Sequence, residues 1–203
     1  MMAVNTKIEW ANDSVNWWHG CTKIASGCTN CYAADLDHRF FTNVGSIESH
    51  WGPKASRLYI PSATATLLAL DRRAKRDGRP RLVFVNSMSD LFEEHDGWVV
   101  DRHGKHLFLN RHGEVQTWDK PDSERPLTVA DLRADAFRAF DQCQNLRLLI
   151  LTKRPENIRS MWPGNTNEFG IARYRRKCWL GYSASTQADL DAGIGNLLAC
   201  RDL

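Results

Sequence analysis

Three features are missing from this 203-residue sequence, and each absence excludes a class of protein. No stretch approaches the roughly 18 consecutive apolar residues of a membrane span, so we expect no contact with a membrane. The first residues, MMAVNTKIEWANDS, lack a basic region and an apolar core, and we therefore expect no secretory signal and a cytoplasmic protein. The formal net charge is only +3, which is too small to indicate a nucleic-acid-binding protein by itself.

The residues that are present have the composition of an ordinary globular protein, with 42% apolar and 25% charged residues. At roughly 100–200 residues per domain, the length predicts a single domain over residues 1–203. A chain of this length buries about 70% of its unfolded surface, so its core needs no disulfide bonds. Three of the six cysteines, Cys143, Cys178 and Cys200, lie far apart and are expected to be buried without a chemical role.

The other three cysteines, Cys21, Cys28 and Cys31, form the pattern C-x6-C-x2-C. In a reducing compartment, closely spaced cysteines bind metal or do redox work more often than they form disulfides. A structural zinc would need a fourth ligand, for which His19 and His38 are nearest in sequence. An iron–sulfur cluster held by three thiolates would instead keep one iron open for a substrate. Three unliganded cysteines near a core are the simplest alternative, and metal binding explains the triplet better.

Short apolar runs alternate with amphipathic stretches along the chain, which predicts about five strand–helix units. Thr128 with Asp131 predicts the start of one of the helices. This order is typical of a parallel α/β sheet, open or curved as part of a barrel. One segment, 98–118, breaks the order with two Arg-His-Gly turns between short apolar runs, and it predicts a small antiparallel meander inserted between a strand and its helix. The five strands are expected at residues 15–18, 58–60, 82–85, 147–151 and 178–182.

Polar residues follow the predicted strands at the points where they end. In parallel α/β folds, ligands bind beyond the carboxyl ends of the strands, and the cysteine loop opens at the same edge. Caps and turns explain these residues one at a time, but not a Lys-Arg pair and an aspartate beside three cysteines. We therefore expect one ligand-binding rim that includes Asn86, Ser87, Ser89 and Asp90, then Thr152, Lys153 and Arg154, and finally Ser183 and Ser185.

Six ordered segments carry a resemblance to a known family: residues 7–10 (KIEW), 20–23 (GCTK), 27–33 (GCTNCYA), 85–92 (VNSMSDLF), 151–156 (LTKRPE) and 179–181 (WLG). The sequence resembles a phage-encoded three-Cys-motif family of uncharacterised proteins, which is similar to divergent radical S-adenosylmethionine (SAM) enzymes. The resemblance extends from residue 7 to about residue 187. It implies a partial, open TIM-type barrel and a protein that works in the cytoplasm of a phage-infected or lysogenic bacterium.

The resemblance also implies a cofactor set and a reaction. Cys21, Cys28 and Cys31 would hold a 4Fe–4S cluster, and SAM would chelate its open iron. An electron from an electron donor would then cleave SAM to a 5′-deoxyadenosyl radical, which abstracts a hydrogen from the substrate. The phage setting suggests a nucleotide or nucleic-acid substrate. The implied contacts to SAM or substrate come from Tyr32 beside the adenine, from Asn86, Ser87, Ser89 and Asp90, and, for a carboxylate or another anionic group, from Thr152, Lys153, Arg154 and Ser183.

The chain departs from this family in three places. Its first cysteine gap is longer than the commonest radical SAM spacing, C-x3-C-x2-C. Ser185 and Thr186 stand where the family usually has an acidic and an amide residue. The chain also stops at Leu203, where the family continues into a further strand, so we expect either a truncated C-terminus or a second chain that completes the sheet edge. The alternative function is a non-catalytic binding module of phage origin, stabilised by zinc or by a cluster.

Overall fold

The computed structural model describes residues 3–41, 49–118, 122–163, 174 and 176–201. The strands are β1 (Ala3–Val4), β2 (Asp13–Val15), β3 (Trp18–His19), β4 (Arg57–Tyr59), β5 (Arg81–Val85), β6 (Val99–Val100), β7 (Leu107–Asn110), β8 (Val115–Thr117), β9 (Ser123–Pro126), β10 (Leu146–Thr152) and β11 (Cys178–Tyr182). The helices are α1 (Tyr32–Phe41), α2 (Ala63–Arg76), α3 (Val129–Gln142), α4 (Ile158–Met161) and α5 (Gln187–Leu198). No helix in these ranges is long and apolar enough to cross a membrane.

The largest sheet has the strand order β1-β2-β5-β10-β11. Its last four strands run parallel to one another, and β1 pairs antiparallel with β2 at the edge. Val85 of β5 lies opposite Val15 of β2 on one side and Ile150 of β10 on the other, so these strands end at one level. The fold is therefore mixed α/β with a four-stranded parallel sheet, whose carboxyl ends share one edge.

Helix α2 packs against β2, β5 and β10 of this sheet, and α3 packs against α2. Leu67 and Leu70 of α2 and Phe137 and Phe140 of α3 are buried in the main core. Burial of an aliphatic or aromatic side chain contributes roughly 1.5–3 kcal/mol each, so these faces hold the helices against the strands. The predicted start of α3 is confirmed, because the Thr128 hydroxyl accepts a hydrogen bond from the backbone N–H of Asp131 in a complete capping box.

The predicted single strand over residues 15–18 is wrong, because β2 ends at Val15 and β3 belongs to a different sheet. The chain leaves the main sheet where the backbone N–H of Trp17 donates to the side-chain oxygen of Asn86 instead of to a neighbouring strand. The expected strand near residues 58–60 also lies outside the main sheet. It is β4, which pairs antiparallel with β3 and parallel with β6. The main sheet consequently has four parallel strands, and the curvature of a partial barrel stays a prediction.

The predicted antiparallel insertion lies between β5 and α3, but its strands differ from the expected ones. The inserted sheet has the order β8-β7-β9, and its third strand, β9, lies beyond the predicted range 98–118. The first apolar run of that range is β6, which pairs with β4. A turn closes the β7–β8 hairpin, because the Asn110 side chain accepts hydrogen bonds from the backbone of His112 and Glu114.

Candidate functional site

A cavity of about 510 Å³ brings the predicted site residues together at the carboxyl ends of the parallel strands. Apolar side chains complete its wall, among them Trp10, Trp51 and Phe84. The lining draws on the cysteine loop and on the loops that follow β5, β10 and β11. It includes the three cysteines and every residue that the resemblance assigns to SAM or substrate, namely Cys21, Cys28, Cys31, Tyr32, Asn86, Ser87, Ser89, Asp90, Thr152, Lys153, Arg154 and Ser183. Ser185, which was expected at the same rim, is not part of the lining.

The cysteine loop runs from the end of β3 to the start of α1, and two glycines let it pack closely. Gly20 has a φ of 108°, and a Cβ there would overlap the carbonyl oxygen of His50. A Cβ at Gly27 would overlap the hydroxyl of Ser185, which lies in the loop after β11. The loop that carries the thiols is therefore in contact with the far side of the cavity rim.

The three thiols share the cavity but do not form a preassembled ligand set. All three are free cysteines, with Cys28 buried and Cys21 and Cys31 partly exposed. Within the described ranges, no group of three or more His, Cys, Asp or Glu side chains is placed to hold a metal ion. Neither His19 nor His38 lines the cavity. At this cavity the described residues therefore form neither a four-ligand zinc site nor a preassembled three-thiolate site.

Asp90 connects three of the loops that form the rim. Its Oδ1 accepts hydrogen bonds from the backbone N–H of Phe92 (3.0 Å) and from the Thr152 hydroxyl (2.8 Å). Its Oδ2 accepts from the backbone N–H of Lys153 (3.0 Å) and from Nη1 of Arg154 (3.1 Å). The Asp90 carboxylate is therefore engaged within the protein, and its placement fixes the β5 and β10 loops relative to each other.

Arg154 extends this connection to the cysteine loop. Besides Asp90, its Nη1 lies 3.5 Å from Sγ of Cys21, and its Nη2 donates to the carbonyl oxygen of Thr22 at 2.7 Å. Arg154 is only 6% exposed, so these contacts are shielded from water. The resemblance implies that Arg154 holds an anionic ligand group, whereas in the structure its guanidinium contacts the first cysteine and the next backbone carbonyl.

Arg57 and Glu93 support the same loop and were missed by the sequence reasoning. Both are fully buried, and Arg57 donates to both carboxylate oxygens of Glu93, from Nε at 3.0 Å and from Nη2 at 2.8 Å. Glu93 also accepts the backbone N–H of Thr22 at 2.7 Å. The remaining Arg57 donors reach the backbone carbonyls of His50, Gly52 and Ala55. In the sequence, burial of Glu93 was indicated only by its position directly after the apolar pair Leu91-Phe92.

Asn86 carries the clearest unmet polar group of the cavity. It has a left-handed backbone, with φ of 55°, and its Oδ1 accepts the backbone N–H of Trp17 at 3.1 Å. Its Nδ2 is buried and has no hydrogen-bond partner among the described residues, although the residue is only 2% exposed. An unsatisfied buried donor costs about 1–3 kcal/mol, so a ligand acceptor at this point would gain a ready partner.

Some of the remaining polar side chains at the rim use their hydrogen-bond donors within the protein, and Lys153 keeps one for a ligand. Tyr32 donates its hydroxyl to the carbonyl oxygen of Ser87 at 2.7 Å, which leaves its ring at the cavity wall. Ser89 donates to the carbonyl oxygen of Trp18. Nζ of Lys153 donates to the carbonyl oxygen of Ser183 and to the hydroxyl of Ser185, at 2.6 and 2.9 Å. An ammonium has three N–H donors, so Lys153 retains one for a ligand.

Burial raises the pKa of the Cys21 thiol to about 12. The Glu93 carboxylate adds to this rise, and the Arg154 guanidinium opposes it. Cys21 is therefore a protonated thiol at neutral pH in the metal-free protein. Binding of a metal at its Sγ would have to release that proton.

Comparison with known proteins identifies one family model, described as a protein of unknown function (DUF5131), which matches residues 5–111. The matched range is just over half of the chain and contains the cysteine motif and the polar segment after β5. The loops after β10 and β11 lie outside it. No curated protein and no solved structure matches this chain.

Proposed function

The chain belongs to this family of unknown function, DUF5131, and we propose that it is an iron–sulfur protein of the radical SAM type. One observation supports the proposal most: a single cavity at the carboxyl ends of the parallel strands is lined by all three cysteines of the motif and by the polar residues of three further loops. Ligand sites of parallel α/β folds lie at this edge. The proposal also holds that the main sheet is part of an open, partial TIM-type barrel.

In this proposal, Cys21, Cys28 and Cys31 hold a 4Fe–4S cluster, and three thiolates leave one iron open for SAM. When bound and reduced, the cluster and SAM would supply a carbon-centred radical that abstracts hydrogen from a substrate. The protein has to orient both ligands and to exclude water. The apolar wall formed by Trp10, Trp51 and Phe84 is suited to the second task.

Three side chains would bind SAM. The free Nδ2 donor of Asn86 is buried in the wall and would donate to an acceptor atom of the ligand. Lys153 keeps one N–H donor and a positive charge for the carboxylate of SAM, next to Ser183. The exposed ring of Tyr32, which directly follows the third cysteine, offers a surface on which the adenine can stack.

The substrate class in this proposal is a nucleotide or nucleic acid, and the partners are an electron donor and a second chain. The resemblance to a phage-encoded family is the support for the substrate, the phage-infected host and its cytoplasm. The support for a second chain is that β11 lies at one edge of the five-stranded sheet. The alternative, a zinc-stabilised binding module, would need a fourth ligand that neither His19 nor His38 supplies at this cavity.

The proposal is tested by reconstituting the purified chain with iron and sulfide in the absence of oxygen. We expect about four irons and four sulfides per chain, together with the visible absorbance of thiolate-bound iron. Reduction in the presence of SAM should release 5′-deoxyadenosine. Cys28→Ala should abolish both results, whereas Cys143→Ala, which removes a buried thiol from the end of α3, should change neither. Stoichiometric zinc without iron would overturn the proposal and favour the binding module.

A further inference from the structure

We propose that the inserted sheet carries a second binding site, which takes unpaired bases of a single-stranded nucleic acid. The site is a cavity of about 640 Å³, called here the aromatic cavity, whose lining includes Trp98, Lys105, His106, Phe108 and Trp118. It shares no lining residue with the cavity at the cysteine loop. The inference therefore goes beyond the proposed function and does not depend on a bound cofactor.

Two exposed tryptophans flank a buried phenylalanine in the aromatic cavity. The ring centroid of Phe108 lies 4.8 Å from that of Trp118 and 6.0 Å from that of Trp98, and both pairs are tilted. Phe108 is buried, whereas Trp98 is 43% and Trp118 is 68% exposed. The three rings form one contiguous apolar surface, and contiguous exposed surfaces of this kind mark binding sites more often than scattered apolar residues do.

The exposed ring of His106 extends this surface. It stacks on Trp98 with an interplanar angle of 3° and a centroid distance of 4.2 Å. Trp98 thus already accepts a flat heteroaromatic ring on its face. A nucleobase is also a flat heteroaromatic ring, and unpaired bases stack on tryptophan and histidine side chains. His106 and Trp118 are the exposed rings on which we expect bases to stack.

Paired backbone segments hold these rings in place. The carbonyl oxygen of Trp98 accepts the backbone N–H of Arg57 at 2.8 Å, and Val100 forms an antiparallel bridge with His106. Phe108 belongs to β7, the middle strand of the inserted sheet. Because the rings stand on hydrogen-bonded strands, a ligand that stacks on them loses less free energy to ordering of the protein.

The charges at the aromatic cavity favour nucleic acid over other ligands that stack on aromatic rings. The ammonium of Lys105 belongs to the lining, and the exposed Arg102 lies in the same turn. Asp101 in this turn accepts the backbone N–H of His103 at 2.8 Å and that of Lys105 at 2.9 Å. None of the described lining residues carries a carboxylate. Lysine repels a cationic ligand and attracts the phosphates that accompany stacked bases.

The experiment measures binding of a fluorescent oligothymidylate of about 12 nucleotides to the purified full chain without added metal, by fluorescence anisotropy. A duplex of this strand with oligodeoxyadenylate should bind more weakly, because its bases are already stacked. We expect Trp118→Ala to raise the dissociation constant about 10- to 100-fold, and Trp118→Phe, which keeps a ring, to retain most of the affinity. The matched control is Trp179→Ala, which removes a tryptophan that is 54% exposed on β11 and should change nothing.

A second variant tests the phosphate contact. Lys105→Gln should make the plot of log association constant against log salt concentration less steep by about 0.7, the value for one phosphate contact to a single strand. Lys75→Gln removes an exposed lysine of α2 and should leave this slope unchanged.

Three outcomes would overturn the inference: equal losses in W118A and W179A, equal affinity for the single strand and the duplex, or no binding by the unaltered chain. In the last case, a dimer that W118A dissociates would assign the aromatic cavity to contact with a second copy of the chain. Failure to form a cluster after reconstitution would overturn the proposed function alone, because the oligonucleotide is bound without metal.

Discussion

The amino and carboxyl ends of the parallel sheet each bury a carboxylate–guanidinium pair, Asp13 with Arg81 and Asp90 with Arg154. At the amino end, Arg81 donates to both oxygens of Asp13, from Nε at 2.8 Å and from Nη2 at 2.9 Å. At the carboxyl end, Arg154 gives Asp90 a single contact at 3.1 Å and directs the rest of its guanidinium toward the cysteine loop. The first pair exchanges hydrogen bonds with Asn5, which directly follows β1, whereas the second connects the sheet to the cysteine loop.

Two asparagines differ between the ends in the same way. Asn12 is exposed, and its Oδ1 accepts the backbone N–H of Leu82 at the start of β5. Asn86 is buried at the end of β5, and its Oδ1 accepts the backbone N–H of Trp17. Asn86 lines the cavity, and its Nδ2 is buried without a partner among the described residues. The same residue type therefore stabilises the fold at the amino end of the strands, as Asn12, and keeps a donor without a partner at the carboxyl end, as Asn86.

The largest effect is expected from Arg81→Met at the amino end. The substitution leaves Asp13 buried without its cation, and loss of one partner of a buried pair costs about 3–5 kcal/mol of stability. Iron content per folded chain should not change. Urea unfolding followed by circular dichroism, with iron analysis of the folded fraction, measures both quantities.

A double variant serves as the control for this prediction. Asp13→Leu combined with Arg81→Met replaces both charges by apolar groups and should recover part of the lost stability. If folded R81M loses iron, the amino and carboxyl ends of the sheet are coupled. The conclusion that the Asp13–Arg81 pair serves only the fold would then be wrong.

A smaller and more local effect is expected from Asn86→Asp. One carboxylate oxygen still accepts the backbone N–H of Trp17. The other takes the place of the Nδ2 donor, and it repels an electronegative ligand atom at this point. We expect the dissociation constant for SAM to rise about 10- to 100-fold, which corresponds to about 1.4–2.7 kcal/mol. Isothermal titration of the reconstituted protein measures it.

Asn12→Asp makes the same chemical change at the amino end and should leave SAM binding unaltered. If N86D binds SAM as tightly as the unaltered protein, the unpaired Nδ2 of Asn86 is not a ligand contact. Equal losses in both variants would instead indicate a general effect of added negative charge.

The sequence predicted the cavity lining well because each polar group directly follows a strand in the chain. Asn86, Thr152 and Ser183 could be placed at one edge as soon as the strands were taken as parallel. The supporting charges could not be found in this way. Arg57 begins β4 and Glu93 lies in the loop after β5, and a charged residue is expected at the surface unless its partner is known.

The small second sheet was beyond sequence reasoning for a different reason. Strands β3 and β6 have two residues each, which is too short to show a period of alternation. The apolar run from Val15 to Trp18 therefore looked like one strand. Its interruption depends on the side chain of Asn86, which meets the Trp17 backbone only after the chain has folded.

The smallest effect distinguishes two equivalent helix caps. Thr128 and Thr186 form complete capping boxes at the starts of α3 and α5, so either Thr→Ala substitution should cost about 1 kcal/mol in urea unfolding. Only Thr186 stands beside Ser185, whose hydroxyl accepts from Lys153 at the cavity rim. We therefore expect T186A to weaken SAM binding a few-fold and T128A to leave it unchanged. If both variants lose stability and neither loses affinity for SAM, the α5 cap stabilises the fold but does not affect ligand binding at the cavity rim.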